Sequence, residues 1–407
     1  MDETNELKKS HSPFRVAIIG GGLQGVEAVY LAHKAGWKVL LIDKKADAPA
    51  SGCCDTFIQW DVTKTEGLDS VLKEVDVVIP ALEDRAALDS LVAWGKRSGV
   101  PLAFDPAAYS ISSSKLKSDR LFETIIVPAP VPWPWCEFPV IAKPSEGSGS
   151  KGIQIFYNPM QMESFFIPPF HLEGWVLQEY LEGPQFSLEV VGVPGHYSAI
   201  QVTDLEMDHD YDCKRVQAPS VLEPDQTVQF ENISLHIAEA IRLHGLMDVE
   251  VILHGNQLKV LEIDARFPSQ TPTAVYWSTG RNLLELLVRC FVEDKEGDVD
   301  KSEDKEDKET LRAVVYEHIR VSGRRIEDCG EHVMAESGPL RLHRPFFGAD
   351  EAITNYEPRA EYWVATLIVS GTDRLDAWEK RNRVRDNIKL HMISIKQQGS
   401  GNDAIGK

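Results

Sequence analysis

At 407 residues the chain is long for a single hydrophobic core, so two or three domains are expected. Its hydrophobic content of 43% is that of an ordinary globular protein, and a net charge of −20 with no basic stripe argues against a nucleic-acid partner. The polar N-terminus lacks the apolar stretch of a secretion signal, no apolar run is long enough to span a membrane, and six cysteines without C-x-x-C spacing read as reduced thiols of a cytoplasmic protein.

In chain order, residues 14–127 read as strands alternating with helices. A strand at 14–19 leads to a helix at 25–35, with Gly36 where a helix-ending glycine belongs. A strand at 39–42 ends at Asp43, and another at 75–79 precedes Pro80. A helix fits 84–98, closed by Gly99, and a short strand fits 102–104. That alternation implies a parallel sheet covered on both faces. The Pro- and Trp-rich stretch 128–136 suits a crossing loop. Beyond it the strands meander, at 138–143, 152–156, 175–180, 186–192 and 197–203. A helix at 232–244 ends at Gly245, a strand pair follows at 247–254 and 257–264, and a helix at 281–292. Residues 294–309 are charged almost throughout and predict a mobile insertion. Strand-rich patches at 311–319 and 362–370 and a helix at 374–387 close the chain, before a disordered tail at 396–407.

Four patterns carry chemistry. Gly20-Gly21-Gly22-Leu23-Gln24-Gly25 matches G-x-G-x-x-G between strand and helix, with Asp43 near the acidic position that takes a ribose. Alone it fits NAD. The same glycines also serve a tight turn whose side chains, with Glu83, hold a polar metabolite at the sheet's C-terminal edge. Lys143 ends an apolar strand before Ser145–Gly152, a small loop able to fold over phosphates with its backbone N–H groups, though it is not a Walker A loop. The plain alternative is a solvated lysine before a flexible hairpin. Lys115 is a second cation at the junction of the two regions. The strand from Val176 stops at Gly183-Pro184 and has backbone groups to offer an adenine edge, or is an ordinary hairpin.

The fourth pattern is acidic. Glu262 and Asp264 are two apart on a strand and face one side, with Glu250 on the partner strand, while Val249, Val251, Leu261 and Ile263 alternate toward the core. Three converging carboxylates ask for a cation, and oxygen-only ligation suits Mg2+ with nucleotide phosphates. Arg266 follows on the same face, placed to steady a transferring phosphoryl group. The alternative is the solvent side of a half-buried hairpin. No H-x-x-x-H or G-x-S-x-G pattern supports a histidine metal site or a Ser or Cys nucleophile.

In this order the motifs resemble the ATP-grasp superfamily over roughly residues 14–395. The resemblance implies an α/β and α+β fold. It has a Rossmann-like domain at 14–112, a small lid subdomain at 113–182 and a C-terminal subdomain at 183–395, with tails at 1–13 and 396–407. It implies ATP and Mg2+ as cofactors. Lys115 and Lys143 would meet the phosphates under a lid loop that includes Ser145, Ser148 and Gly149. Gln178, Glu179, Tyr180 and Leu181 would form the adenine hinge, and Glu250, Glu262 and Asp264 would carry the metal. Gln185 stands where a ribose-binding Glu is usual, and Asp264 where Asn is usual, which adds charge suited to an ammonium.

More narrowly, the strings Gly21–Ala28, Asp105–Lys115, Phe186–Val190 and Arg266–Pro272 are similar to the 3-methylornithine–L-lysine ligase family of pyrrolysine biosynthesis. That similarity implies that ATP phosphorylates the carboxylate of 3-methyl-D-ornithine and that the side-chain amine of L-lysine attacks the acyl phosphate. Arg266 would stabilise the acyl phosphate. Ser187, Glu189, Ser269, Gln270 and Thr271 would hold the ornithine, and Leu23, Gln24 and Glu83 the lysine. The partners implied are small molecules, with neither nucleic acid nor membrane, and a homo-oligomer stays open beside a monomer. The competing readings are another ATP-grasp carboxylate–amine ligase or carboxylase, and an NAD-dependent oxidoreductase built on the glycine turn.

Overall fold

The computed structural model describes residues 13–147, 149, 152–166, 173–292 and 311–402, with side chains to 394. Ser148, the whole acidic stretch 294–309 and both chain ends therefore lie outside the described residues.

The first layer is a parallel sheet. Its elements are β1 (Arg15–Ile19), α1 (Leu23–Lys34), β2 (Lys38–Asp43), β3 (Thr56–Gln59), α2 (Leu68–Leu72), β4 (Val77–Pro80) and α3 (Arg85–Ser98). The strand order is β3-β2-β1-β4, all parallel. The strand expected at 102–104 is reduced to one parallel bridge between Val78 and Leu102. The boundaries of α3 follow its capping residues. Asp84 accepts from the Ala87 N–H, and Gly99 takes the left-handed conformation at φ +75°.

Two short helices not foreseen as such, α4 (Pro106–Ser112) and α5 (Lys115–Ile125), lead out of this layer. Asp105 starts α4 by accepting from the N–H groups of Ala107 and Ala108. A small antiparallel sheet follows, built from β5 (Val140–Pro144), β6 (Gln154–Phe156) and β7 (Trp175–Glu179) with β5 central, and with α6 (Pro159–Phe165) between β6 and β7.

The third layer is a large antiparallel sheet. It begins with β8 (Gln185–Val193), β9 (His196–Met207), β10 (Cys213–Ala218), α7 (Pro224–Ile241), β11 (Gly245–His254), β12 (Gln257–Asp264), α8 (Thr271–Thr279) and α9 (Leu283–Val292). It ends with β13 (Ala313–Ser322), β14 (Arg325–Asp328), α10 (His332–Ala335), β15 (Arg341–His343), β16 (Glu351–Thr354), β17 (Tyr362–Gly371) and α11 (Arg374–Asn402). The strand order is β12-β11-β8-β9-β10-β13-β17-β16-β15, with β14 paired to β13.

Three expectations change here. The helix placed at 232–244 is α7; Pro224 in its first turn starts it earlier, and Arg242 in the left-handed region stops it. Gly245, at φ +125°, instead opens β11 against Phe291 and Leu287, where a Cβ would meet both side chains. The last helix runs on to Asn402, so residues 396–402 are helical rather than a loose tail.

One core joins the first layer to the third. Every residue of α1 from Gln24 to Ala32 is buried, because the helix packs on its own sheet and against α8 and α9. Polar groups along it are paired across the chain. Glu27 accepts from the Thr273 N–H at 2.6 Å, Tyr30 donates to Glu351 at 2.6 Å, and Trp277 donates to the Tyr30 oxygen at 2.7 Å. The Leu340 N–H donates to the Pro49 carbonyl at 2.8 Å, beside Gly52, where a Cβ would lie 2.3 Å from the Leu340 oxygen.

Candidate functional site

The site grows from the β11–β12 hairpin. Glu250 lies opposite Glu262, and Asp248 opposite Asp264. The register shifts between Glu250 and Val251, so that Val251 faces Val260 and Leu261 is the extra residue of a bulge. The strict alternation read from sequence therefore fails at one place. Val260 and Ile263 point into the core, whereas Leu261 is half-buried and joins Glu262 on the open side. The bulge turns the acidic face toward two cavities, and Arg266 lines both the second of them and a third.

The first cavity, of about 120 Å³, is a cleft between the small sheet and the hairpin. It gathers Lys115, Lys143, Gly149, Gln178, Glu179, Tyr180, Leu181 and Gln185 with Glu250 and Glu262. Lys115 donates to Glu262 at 3.0 Å and to the Gly147 carbonyl at 3.1 Å. No ion pair ties Lys143 to another described residue; burial pushes its ammonium down, while Glu262 pulls it back and Lys115 adds to the fall. At the hinge the N–H groups of Glu179 and Tyr180 are taken by the carbonyls of Val131 and Pro139. The Leu181 N–H has no partner among the described residues and remains for a ligand. The Glu179 side chain turns away, accepting from the Val131 N–H and from Lys259. Ser145 is not at the cleft. It is buried, and its hydroxyl and carbonyl hold the start of α5 through Ser114, Leu116 and Lys115.

The second cavity, of about 160 Å³, lies over the acidic face, walled by Asp248, Glu250, Glu262, Asp264, Arg266 and the segment Ser269–Thr271. Its polar groups are under-partnered. Asp264 Oδ1, Gln270 Oε1 and Thr271 Oγ1 are buried without a hydrogen bond among the described residues. Burial pushes the Asp264 carboxyl up to about 7 against the pull of Arg266. Ser187 and Glu189 do not reach the wall. Both are fully buried on β8 behind Asp248, to which Ser187 donates. Neither Glu189 oxygen has a hydrogen-bond partner among the described residues; burial and then Asp248 push its carboxyl up to about 8, tempered by the nearby Thr271 hydroxyl.

The third cavity, a crevice of about 570 Å³, opens at the C-terminal ends of β1, β2 and β4 and includes Leu23, Gln24 and Glu83. The glycine turn beside it is explained by packing alone. Gly20, at φ +103°, would bring a Cβ to 2.5 Å from the Ala81 oxygen, and Gly25 one to 2.1 Å from the Gly20 oxygen. Asp43 accepts from the Gly21 N–H at 2.6 Å and from the Lys45 N–H at 2.7 Å, so both carboxylate oxygens already close the turn rather than await a ribose. Arg266 lines this crevice and the second cavity. Its Nη2 donates to Glu83 at 2.5 Å and forms an ion pair with Asp264 at 2.7 Å, and its side chain is 14% exposed.

Sequence reasoning missed Asp248 and Glu331. Asp248 carried the same signal as Glu250, two positions earlier on one strand face. Glu331 had none; it arrives from the loop before α10 and accepts from Ser269 at 2.7 Å. For a cation, Glu250, Glu262 and Asp264 offer an oxygen-only set held apart by Lys115 and Arg266. Among the described residues, the one trio with ligand atoms within 4.8 Å is Asp208, His209 and Asp210, mostly exposed.

Comparison with known proteins agrees with this geometry. A family model for an ATP-grasp domain matches residues 112–270, and one described as PylC-like, N-terminal domain matches residues 16–102. The chain is 37% identical over 374 residues to the 3-methyl-D-ornithine–L-lysine ligase of Methanosarcina barkeri, covering 90% of this chain and 95% of that one. It is 35% identical over 370 residues to the ligase of the same name from Methanosarcina mazei, covering 90% and 94%. In fold it is similar to a biotin carboxylase from Campylobacter jejuni, with a TM-score of 0.69 at 14% identity over 95% of each chain. The Rossmann-like layer, the small sheet over a phosphate-sized cleft and the acidic hairpin are thus those of an ATP-grasp enzyme, and the chain belongs to the family of the 3-methyl-D-ornithine–L-lysine ligases.

Proposed function

We propose that the chain joins the carboxylate of 3-methyl-D-ornithine to the side-chain amine of L-lysine, using ATP and an acyl-phosphate intermediate, in pyrrolysine biosynthesis. The observation that carries the chemistry is the convergence of Lys115, Lys143 and Arg266 with four hairpin carboxylates around the two cavities at the hairpin. A carboxylate is a poor electrophile, and phosphorylation turns its oxygen into a leaving group. The cleft under the small sheet suits ATP, with Leu181 N–H facing the base and Lys115 and Lys143 the phosphates. An Mg2+ ion fits the oxygen donors of Glu250, Glu262 and Asp264, one of them an orphaned buried oxygen, and when bound it screens the phosphate charge.

The diamino acid suits the second cavity. Asp248, Ser269, Gln270, Thr271 and Glu331 offer acceptors to its two ammonium groups, with Glu189 and Ser187 supporting that wall from behind. L-Lysine suits the crevice at Leu23, Gln24 and Glu83, on the far side of Arg266. Its amine then approaches the activated carbonyl beside Arg266, which offsets the charge of the acyl phosphate. Covering the junction when substrates bind would exclude water, which would otherwise hydrolyse that intermediate.

The test is ADP release with Mg2+ and 3-methyl-D-ornithine or D-ornithine, with and without L-lysine, and the mass of the product. An ornithyl-lysine amide formed with ADP supports the reading. ATP turnover with other carboxylates and no lysine incorporation would replace it with a different ATP-grasp ligase.

A further inference from the structure

Arg266 faces two ways. A single nitrogen, Nη2, donates to Glu83 of the parallel-sheet layer and is ion-paired with Asp264 of the hairpin. Glu83 in turn accepts from Gln24 Nε2 at 3.2 Å, inside the crevice. Glu83 stands at the end of β4 and is 34% exposed at its side chain, whereas Asp264 buries one oxygen without a partner. The guanidinium therefore hangs between a carboxylate reachable from the crevice and one reachable from the hairpin cavity. A cation entering the crevice meets Glu83 first and competes with Arg266 for it. Arg266 then keeps Asp264 and gains freedom to turn toward the hairpin side.

We infer that Glu83 is a positioning residue that restrains Arg266 at the edge of the hairpin cavity until the ammonium of the amine substrate replaces it. Occupation of the crevice is thereby coupled to activation of the carboxylate on the far side. The inference rests on the reading of the crevice as the amine-substrate site. Its consequence is economy of ATP. An acyl phosphate made before the amine arrives is lost to water, and a tether released by the amine delays its formation until then.

The experiment compares wild type, Glu83→Gln and Glu83→Asp, recording ADP formed with 3-methyl-D-ornithine alone, ADP formed with 3-methyl-D-ornithine and L-lysine, and amide per ADP. In wild type, L-lysine should raise the rate of ADP formation by about tenfold, an ordinary coupling between two sites. Glu83→Gln should raise the rate without lysine and bring the ratio close to one, with less amide per ADP. Glu83→Asp, which keeps the charge, should restore the lysine dependence in part. An unchanged KM for ATP in Glu83→Gln marks an intact nucleotide cleft. If Glu83→Gln raises only the KM for lysine and leaves the lysine-free rate at the wild-type value, Glu83 merely holds the amine and the coupling is wrong. If wild type makes no amide at all, the reading of the crevice fails and this inference falls with it.

Discussion

At the scale of single residues the site is a balance of unlike neighbours. Lys143 and Glu189 show it from opposite sides, one a half-buried cation and the other a buried acid without a hydrogen-bond partner among the described residues. Lys143→Ala should lower kcat/KM for ATP by about a hundredfold, the usual cost of removing one donor aimed at developing charge; steady-state kinetics check it, with circular dichroism to show an unchanged fold. Glu189 makes a prediction about stability. Its carboxyl is raised from 4.5 to about 8 in the folded chain, so folding takes up a proton between those values. This contribution is fully present below 4.5, declines as the pH rises toward 8 and is lost above it. In Glu189→Gln the melting temperature should fall less between pH 5 and pH 8 than in wild type, as thermal melts across that range would read; an equal fall in both would mean the buried carboxyl is not protonated. Of these residues, Lys143, Glu250, Glu262, Asp264 and Arg266 were legible because strand position and residue type together point to phosphate chemistry. Glu331 was not, because only the folded chain brings it beside Ser269, 62 positions earlier.

Among elements, the β11–β12 hairpin separates what sequence pattern treats alike. Period-two reading puts Leu261 and Ile263 on one face, and the bulge sends them apart. Ile263, 1% exposed, packs in the core with Phe230 and Leu258. Ile263→Ala should cost about 2–5 kcal/mol of folding stability. Leu261→Ala should cost below about 1 kcal/mol, since little burial is lost, yet raise the KM for ATP because Leu261 lines the nucleotide cleft. Denaturant unfolding and ATP kinetics on the two variants decide it; equal losses of stability would put both side chains in the core and remove the bulge. In the first sheet β1, β2 and β4 were readable because buried parallel strands are short apolar runs between turn residues, whereas β3, exposed at both ends and only half-buried between, carries no such run. Helix α8 was not. Its residues Thr271–Val275 are buried on all sides, so no polar face marks a helical period, and it is rich in β-branched residues.

Over the whole molecule, α1 fastens the parallel layer to the large sheet so thoroughly that the two share a core. A fragment of residues 13–104 would leave the far side of α1 uncovered, with Tyr30 lacking Glu351 and Glu27 lacking Thr273. It should fail to unfold cooperatively and should bind a hydrophobic dye, whereas the full chain should do neither; a sharp melting transition in the fragment would show that this layer is stable alone. Sequence marked this layer as a separate unit because strand–helix alternation is a local signal, while the burial of α1 on both sides comes from partners some 250 positions away.

The shared wall between the crevice and the hairpin cavity has a use in inhibitor design. Arg266, Ser269 and Glu331 line both spaces, so one small molecule can occupy both without crossing bulk protein. A diamino-acid head and a lysine-like tail joined through a tetrahedral phosphinate would set its anionic centre against Arg266. Such a compound gains the affinity of two sites for the ordering entropy of one ligand.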